Sequence, residues 1–139
     1  MTNPINPMRN RIYFYFCLLL LATNASVCAQ EVNSPKLIIF TGSDWCVNCM
    51  YLEKNVLQDS AFLAFTSQNT SLLIADFPQH RSLSAEEEVR NNTLAERYNR
   101  EGVFPKIVLL QGDDFRVIEY HRQGTIELLS EIKSALHQP

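Results

Sequence analysis

The sequence has few of the residues that build metal sites or bind nucleic acids. Its 139 residues include four cysteines and three histidines. A structural zinc site usually takes four ligands from two closely spaced pairs of cysteine or histidine. Only one such pair, Cys46 and Cys49, is present, because His80, His121 and His137 are scattered. No cluster of lysine or arginine occurs and the net charge is −3, so nucleic acid is not an expected partner.

The longest hydrophobic run is too short to cross a bilayer. Residues 12–22 would cover ~16 Å as a helix, against ~30 Å of hydrocarbon. Arg9 and Arg11 precede this run and small residues follow it at 27–29, so residues 1–29 are interpreted as a secretory signal cleaved after Ala29. An uncleaved anchor and a lipid attached to Cys28 are the alternatives. The segment before Cys28 lacks the small residue that normally precedes a lipidated cysteine.

Cleavage would leave residues 30–139, which is about 110 residues and enough for one domain. It would also remove Cys17 and Cys28, so that Cys46 and Cys49 become each other's only partner. The expected location is the periplasm, an oxidising compartment where such a pair either stays locked as a disulfide or is cycled by partner proteins.

Hydrophobic periodicity and turn residues predict the order β-α-β-α-β-β-α. Strands joined by a helix should pair in parallel and strands joined by a tight turn should be antiparallel, which gives an α/β fold with a mixed four-stranded sheet and helices on both faces. The predicted strands cover residues 36–41, 71–77, 106–111 and 115–121. The predicted helices begin near Cys46, Ala61 (a short piece, residues 61–65), Ser84 (with a capping box) and Thr125.

Cys46 and Cys49 stand at the junction of the first strand and the first helix. We expect Ser43 or Asp44 to cap this helix, with Cys46 in its first turn. Two cysteines three residues apart lie on one helix face and can form a disulfide, and a helix N-terminus favours the thiolate. The apolar face of the helix carries Cys49, so Cys46 should be the accessible thiol. Thiol–disulfide exchange is the favoured interpretation, and half a zinc site or an inert pair are the alternatives.

With these residues in place, the chain resembles the thioredoxin family, in particular its small exported members. The resemblance covers the mature chain and is carried by Trp45-Cys46-x-x-Cys49 and by Phe104-Pro105 before the third strand. It implies that Cys46 attacks a disulfide of a partner protein and that Cys49 resolves the mixed disulfide. It also implies a cis bond before Pro105, strand-like pairing of the Phe104 backbone with the partner, and docking on Trp45. An ordinary trans proline and simple core packing of Trp45 are the alternatives.

The sequence departs from the best-known members of that family. The residues between the cysteines are Val and Asn, and the absence of histidine there favours a reductant over a strong oxidant. Phe40 occupies the position where thioredoxins bury an acid. An exposed Asp44 would oppose deprotonation of Cys46. Lys106 is interpreted as an ordinary surface lysine.

No motif for a flavin or a nicotinamide is present, so no cofactor is expected and a separate protein would supply electrons. The rival hypothesis is a binding or chaperone-like module that holds extended chains at Phe104 and Pro105 without turnover.

Overall fold

The computed structural model describes residues 34–138, and the predicted signal lies outside this range. Four strands and four α-helices follow one another in the predicted order. The strands are β1 (Lys36–Thr41), β2 (Ser71–Asp76), β3 (Lys106–Gln111) and β4 (Asp114–Ile118). The helices are α1 (Val47–Leu52), α2 (Ser60–Asn69), α3 (Ala85–Tyr98) and α4 (Thr125–Leu136), and a π-helical turn (Glu53–Leu57) continues α1.

The strands form one mixed sheet in the order β2-β1-β3-β4. The parallel pairing predicted for strands joined by a helix holds for β1 and β2, and the hairpin of β3 and β4 is antiparallel as predicted. Although α3 precedes it, β3 does not pair with β2. It lies on the other side of β1 and runs antiparallel to it, with Phe40 opposite Lys106. The first strand is therefore central, which agrees with its continuous apolar sequence.

Two hydrophobic cores lie on opposite faces of the sheet. The first core joins the sheet to α1, α2 and α4, and the second joins it to α3. Leu37 and Ile39 of β1 belong to the first core, whereas Ile38 and Phe40 belong to the second, because successive strand residues point to opposite faces. The first core also contains Leu52, Val56, Phe62, Ile107, Leu109, Leu128 and Ile132, and the second contains Ala75 and Val108 with Leu94, Ala95 and Tyr98 of α3 against it.

The observed elements differ from the predicted ones mainly at their ends. Strand β4 ends at Ile118 and not at residue 121, because its partner β3 begins at Lys106, directly after a proline that cannot donate to the ladder. Helix α2 extends to Asn69, well beyond the predicted residues 61–65. Thr66, in the second half of this helix, is buried and donates its hydroxyl to the Phe62 carbonyl at 2.9 Å.

The capping box at the start of α3 is confirmed. Ser84 accepts a hydrogen bond from the Glu87 amide, and the Glu87 carboxylate accepts one from the Ser84 amide. These backbone and side-chain hydrogen bonds from Ser84 lower the pKa of Glu87. Within residues 34–138, none of the helices has the length and apolar character required to cross a membrane.

Candidate active site

Cys46 begins helix α1 as its N-cap residue. Its backbone N–H donates to the Gly42 carbonyl at 2.9 Å, and its Sγ accepts a hydrogen bond from the Cys49 amide at 3.2 Å. The prediction that Ser43 or Asp44 caps the helix is therefore wrong. The Ser43 hydroxyl donates to Asp76 at the end of β2, and the Asp44 carboxylate is bound by the loop that follows β2, so the cysteine sulfur occupies the capping position instead.

Cys46 and Cys49 form a disulfide, with their Cα atoms 5.1 Å apart. Cys49 is fully buried, whereas Cys46 keeps 8% of its surface exposed. Cys46 is thus the more exposed of the two cysteines, as predicted, although its exposed fraction is small. It is also the cysteine whose sulfur accepts an N–H at the helix end.

Asp76, at the end of β2, holds the loop between β1 and the disulfide. Its carboxylate accepts hydrogen bonds from the Ser43 amide at 2.9 Å and from the Ser43 hydroxyl at 2.7 Å, and it forms an ion pair with Arg81. The backbone carbonyl of Asp76 accepts a hydrogen bond from the buried side-chain amide of Asn91 on α3, at 2.8 Å. The bonds to Ser43 tie the active-site loop to the neighbouring strand, whereas the bond from Asn91 ties α3 to that strand.

Asp44 is engaged by the loop that follows β2. Its carboxylate accepts hydrogen bonds from the backbone amides of Gln79 and His80, at 2.8 and 2.7 Å. Partial burial acts to raise the pKa of Asp44, but these two hydrogen bonds and the nearby His80 outweigh it and lower the pKa below its ordinary value. The negative charge of Asp44 is therefore partly satisfied by backbone donors.

Trp45 packs in an aromatic cluster beside the disulfide. Its Nε1–H donates to the Phe77 carbonyl at 2.7 Å, and its ring meets the Phe104 ring edge-on, with centroids 5.5 Å apart. The Phe77 ring also contacts Phe104, at 5.5 Å. Gly42 lies directly under the indole, because a Cβ atom at this position would stand 2.4 Å from the ring. The cluster thus joins three loops, those after β1, after β2 and before β3.

The peptide bond between Phe104 and Pro105 is cis, which confirms the prediction made from the family resemblance. The contacts between Phe104 and Trp45 bring this loop to the disulfide side of the molecule. A groove of about 470 Å³ is lined by Phe104, Pro105 and Tyr120 and by Asn48, which lies between the two cysteines in the sequence. Burial raises the pKa of Tyr120, with the neighbouring Tyr51 adding to the effect and Arg122 opposing it.

Two residues around this loop differ from what the sequence suggested. Lys106, interpreted as an ordinary surface lysine, has only 13% of its side-chain surface exposed and forms an ion pair with Glu101 at 2.9 Å. Asn99, which drew no attention in the sequence, is buried at the end of α3 and bonds to the backbone of Val103. A polar residue between a helix and a proline has ordinary loop composition, so the local sequence did not indicate its position.

Phe40 is fully buried in the second core, so the position of the acid found in thioredoxins is filled by a ring that cannot take a proton. Among residues 34–138, no three cysteine, histidine, aspartate or glutamate side chains are grouped closely enough to hold a metal ion.

The fold and the site together define a thioredoxin-fold protein of the thiol–disulfide oxidoreductase class. A family model described as Thioredoxin-like matches residues 24–112, and the chain belongs to that family. It is 30% identical over 110 residues to the disulfide bond reductase DsbH of Chlamydia pneumoniae, an alignment that covers 78% of this chain and 66% of that protein.

Solved structures show the same relationship. A DsbH oxidoreductase matches with a TM-score of 0.69 and 28% identity, over 77% of this chain and 75% of the other. A thioredoxin from Thermus thermophilus matches with a TM-score of 0.51 and 16% identity, over 74% of each chain, and this likeness concerns the fold alone.

Proposed function

We propose that this protein is exported and exchanges its Cys46–Cys49 disulfide with protein partners, and that it acts as a reductant more than as a strong oxidant. The observation that carries the proposal is the position of the Cys46 Sγ at the start of α1, where it accepts the Cys49 amide while the Cys49 side chain lies buried behind it. An N–H donor and the positive end of the helix dipole both favour a thiolate at Cys46 in the reduced protein.

The reaction starts from the dithiol. The Cys46 thiolate attacks one sulfur of a partner disulfide, a bond forms between the two proteins, and the other partner sulfur leaves as a thiolate that takes up a proton. Cys49 then loses its proton and attacks the Cys46 sulfur, which releases the second partner thiol and closes the Cys46–Cys49 disulfide. Two electrons have passed to the partner. Phe40 cannot act as a base, so the Cys49 proton passes to water or to another group.

The docking surface is assigned to Trp45, Phe104 and Pro105. In the described part of the chain, the backbone N–H and C=O of Phe104 form no hydrogen bond, so both are free for an extended partner chain that adds as a strand. Val47 and Met50 on α1 expose apolar side chains next to the cysteines. These side chains suit a partner with apolar residues near its own disulfide.

The direction of electron flow is inferred from two observations. The residues between the cysteines, Val47 and Asn48, provide no histidine to stabilise the Cys46 thiolate strongly, as a powerful oxidant requires. A relative at 30% identity is named a disulfide bond reductase. Since the chain carries no flavin or nicotinamide motif, we assign the return of electrons to a separate protein donor.

A trapping experiment tests the exchange. The Cys49→Ser variant should accumulate mixed disulfides with partner proteins, visible on non-reducing gels and lost on adding dithiothreitol. The matched control, Cys46→Ser, keeps the buried thiol and should form none. An absence of adducts with Cys49→Ser, together with normal binding of extended chains, would favour the non-catalytic binding module.

Two further measurements test the finer parts of the proposal. Equilibration with defined glutathione buffers gives the potential of the pair, for which ~30 mV corresponds to a tenfold change in the ratio of oxidised to reduced protein. A reductant should be largely oxidised in a buffer that leaves glutathione mostly reduced. Mass spectrometry of the exported protein should find a chain that begins at Gln30.

A further inference from the structure

The side chain of Asn99 pairs with a backbone segment in the way a neighbouring strand would. Its Nδ2 donates to the Val103 carbonyl at 2.9 Å, and its Oδ1 accepts from the Val103 amide at 3.0 Å. Both hydrogen-bonding groups of Val103 are therefore taken by one carboxamide. Asn99 itself is only 3% exposed, so its side chain is held in one position.

The backbone of Asn99 fixes the same loop from the other end. Its amide donates to the Ala95 carbonyl at 2.8 Å and ends α3, and its carbonyl accepts the Gly102 amide at 3.0 Å. Gly102 has φ +64°, a left-handed conformation that glycine adopts without strain. The chain from Asn99 to Val103 is thus closed into a compact turn that delivers Phe104 and its cis bond to Pro105.

We propose that Asn99 is the positioning residue of the docking loop, an inference that rests on the proposed function. Asn99 does not touch the disulfide. Asn99 occupies both backbone groups of Val103 and leaves those of Phe104 for a partner strand. A strand that slipped by one residue would meet either Val103, whose N–H and C=O are both taken, or Pro105, which has no N–H, so Asn99 helps to set the register in which the partner disulfide meets Cys46.

This role differs from a general contribution to stability. Val103 is 51% exposed, so water can replace the two hydrogen bonds at its backbone when Asn99 is truncated, and the main loss is the fixed shape of the loop. A disordered loop must be ordered again each time a partner binds, which costs affinity. The reaction should therefore slow for disulfide substrates that have a peptide backbone and stay nearly unchanged for those that have none.

The test compares two disulfides in single-turnover reactions of protein reduced beforehand with dithiothreitol. Insulin presents its disulfides within polypeptide chains, whereas bis(2-hydroxyethyl) disulfide has no peptide backbone. Asn99→Ala should slow the reaction with insulin by about tenfold, which corresponds to ~1.4 kcal/mol, and should change the rate with the small disulfide by less than about twofold. Asn99→Asp keeps an acceptor for the Val103 amide but loses the donor, and should give an intermediate rate.

Asn91→Ala is the matched control. Asn91 is also a buried asparagine of α3, 1% exposed, but its amide group donates to the Asp76 carbonyl, away from Val103. This variant should lower stability without changing the ratio of the two rates. Equal slowing of both disulfides by Asn99→Ala and Asn99→Asp, or no slowing of either, would overturn the inference.

Amide hydrogen exchange separates this inference from the proposed function. In the wild-type protein the Val103 amide should be protected, and Asn99→Ala should speed its exchange at least tenfold with little change at Ile107 or Val108. If the wild-type protein reduces neither disulfide, the proposed function fails, and the exchange of Val103 still decides whether Asn99 holds the loop. An unprotected Val103 amide in the wild-type protein would refute the role of Asn99 directly.

Discussion

Replacement of Gly42 by alanine should dislodge Trp45 from its place beside the disulfide. The new Cβ atom would stand 2.4 Å from one indole carbon and 2.6 Å from the indole nitrogen, far inside van der Waals contact. The ring cannot easily turn away, since it lies against Phe104 and its N–H is bonded to the Phe77 carbonyl. The added methyl group therefore fits only if the aromatic cluster rearranges.

The expected loss of stability combines two effects. Inserting an extra group into a filled site typically costs about 1–3 kcal/mol, because neighbouring side chains must move. Loss of the hydrogen bond from Trp45 to Phe77 adds about 1 kcal/mol. The sum of roughly 2–4 kcal/mol is a large part of the ~5–15 kcal/mol that stabilises a typical domain. With a urea m-value near 2 kcal/mol/M, the unfolding midpoint should fall by about 1–2 M.

Trp45 is the only tryptophan in the chain, so its fluorescence reports the displacement without interference. Gly42→Ala should shift the emission of the folded protein to longer wavelength and lower the urea midpoint as described. Gly124→Ala is the control, because nothing lies within 4 Å of a Cβ atom there, and it should leave the emission unchanged. If Gly42→Ala unfolds at the wild-type urea concentration with unchanged emission, the close packing of Gly42 and Trp45 is refuted.

Three further substitutions test polar contacts, two at the active-site loop and one at the start of α3. Because its pKa is lowered in the folded state, Asp44 contributes stability above about pH 4 that is lost as the pH falls through that folded-state value. Urea unfolding should show Asp44→Asn less stable than wild type at pH 6, with the difference shrinking as the pH is lowered below about 4; a difference independent of pH would contradict this. Asp76→Asn turns an amide group toward the Ser43 donors and should cost ~2 kcal/mol in the same assay, whereas an unchanged midpoint would show that water replaces the bonds. Ser84→Ala removes the N-cap that binds the Glu87 amide and should cost about 1 kcal/mol by thermal unfolding, without effect on disulfide exchange.

The order of elements and the chemical pair could be predicted because their patterns are local. The continuous apolar run of β1, the capping box at Ser84 and the Cys46–Cys49 spacing each involve only a few consecutive residues. The cis bond at Pro105 was predicted from family resemblance, since nothing in the local residues distinguishes it from a trans bond.

The contacts that shape the site are long-range, and the sequence did not reveal them. Ser43 and Asp44 have the composition of helix caps, but Asp76 and the loop after β2 compete for them, more than thirty residues away. The neighbouring cysteine sulfur takes the cap as a result. The close contact of Gly42 with Trp45 depends on where the indole ring lies, which the local sequence does not determine.

The two halves of the site are supported by different sets of buried residues. Helix α1 carries the cysteines and is seated on the first core through Leu52, whereas α3 ends in Asn99 and is seated on the second core through Leu94. The sheet separates these two sets. If the loop docks partners as we propose, changes beneath α3 should alter which partners it accepts more than they alter the redox potential of the disulfide.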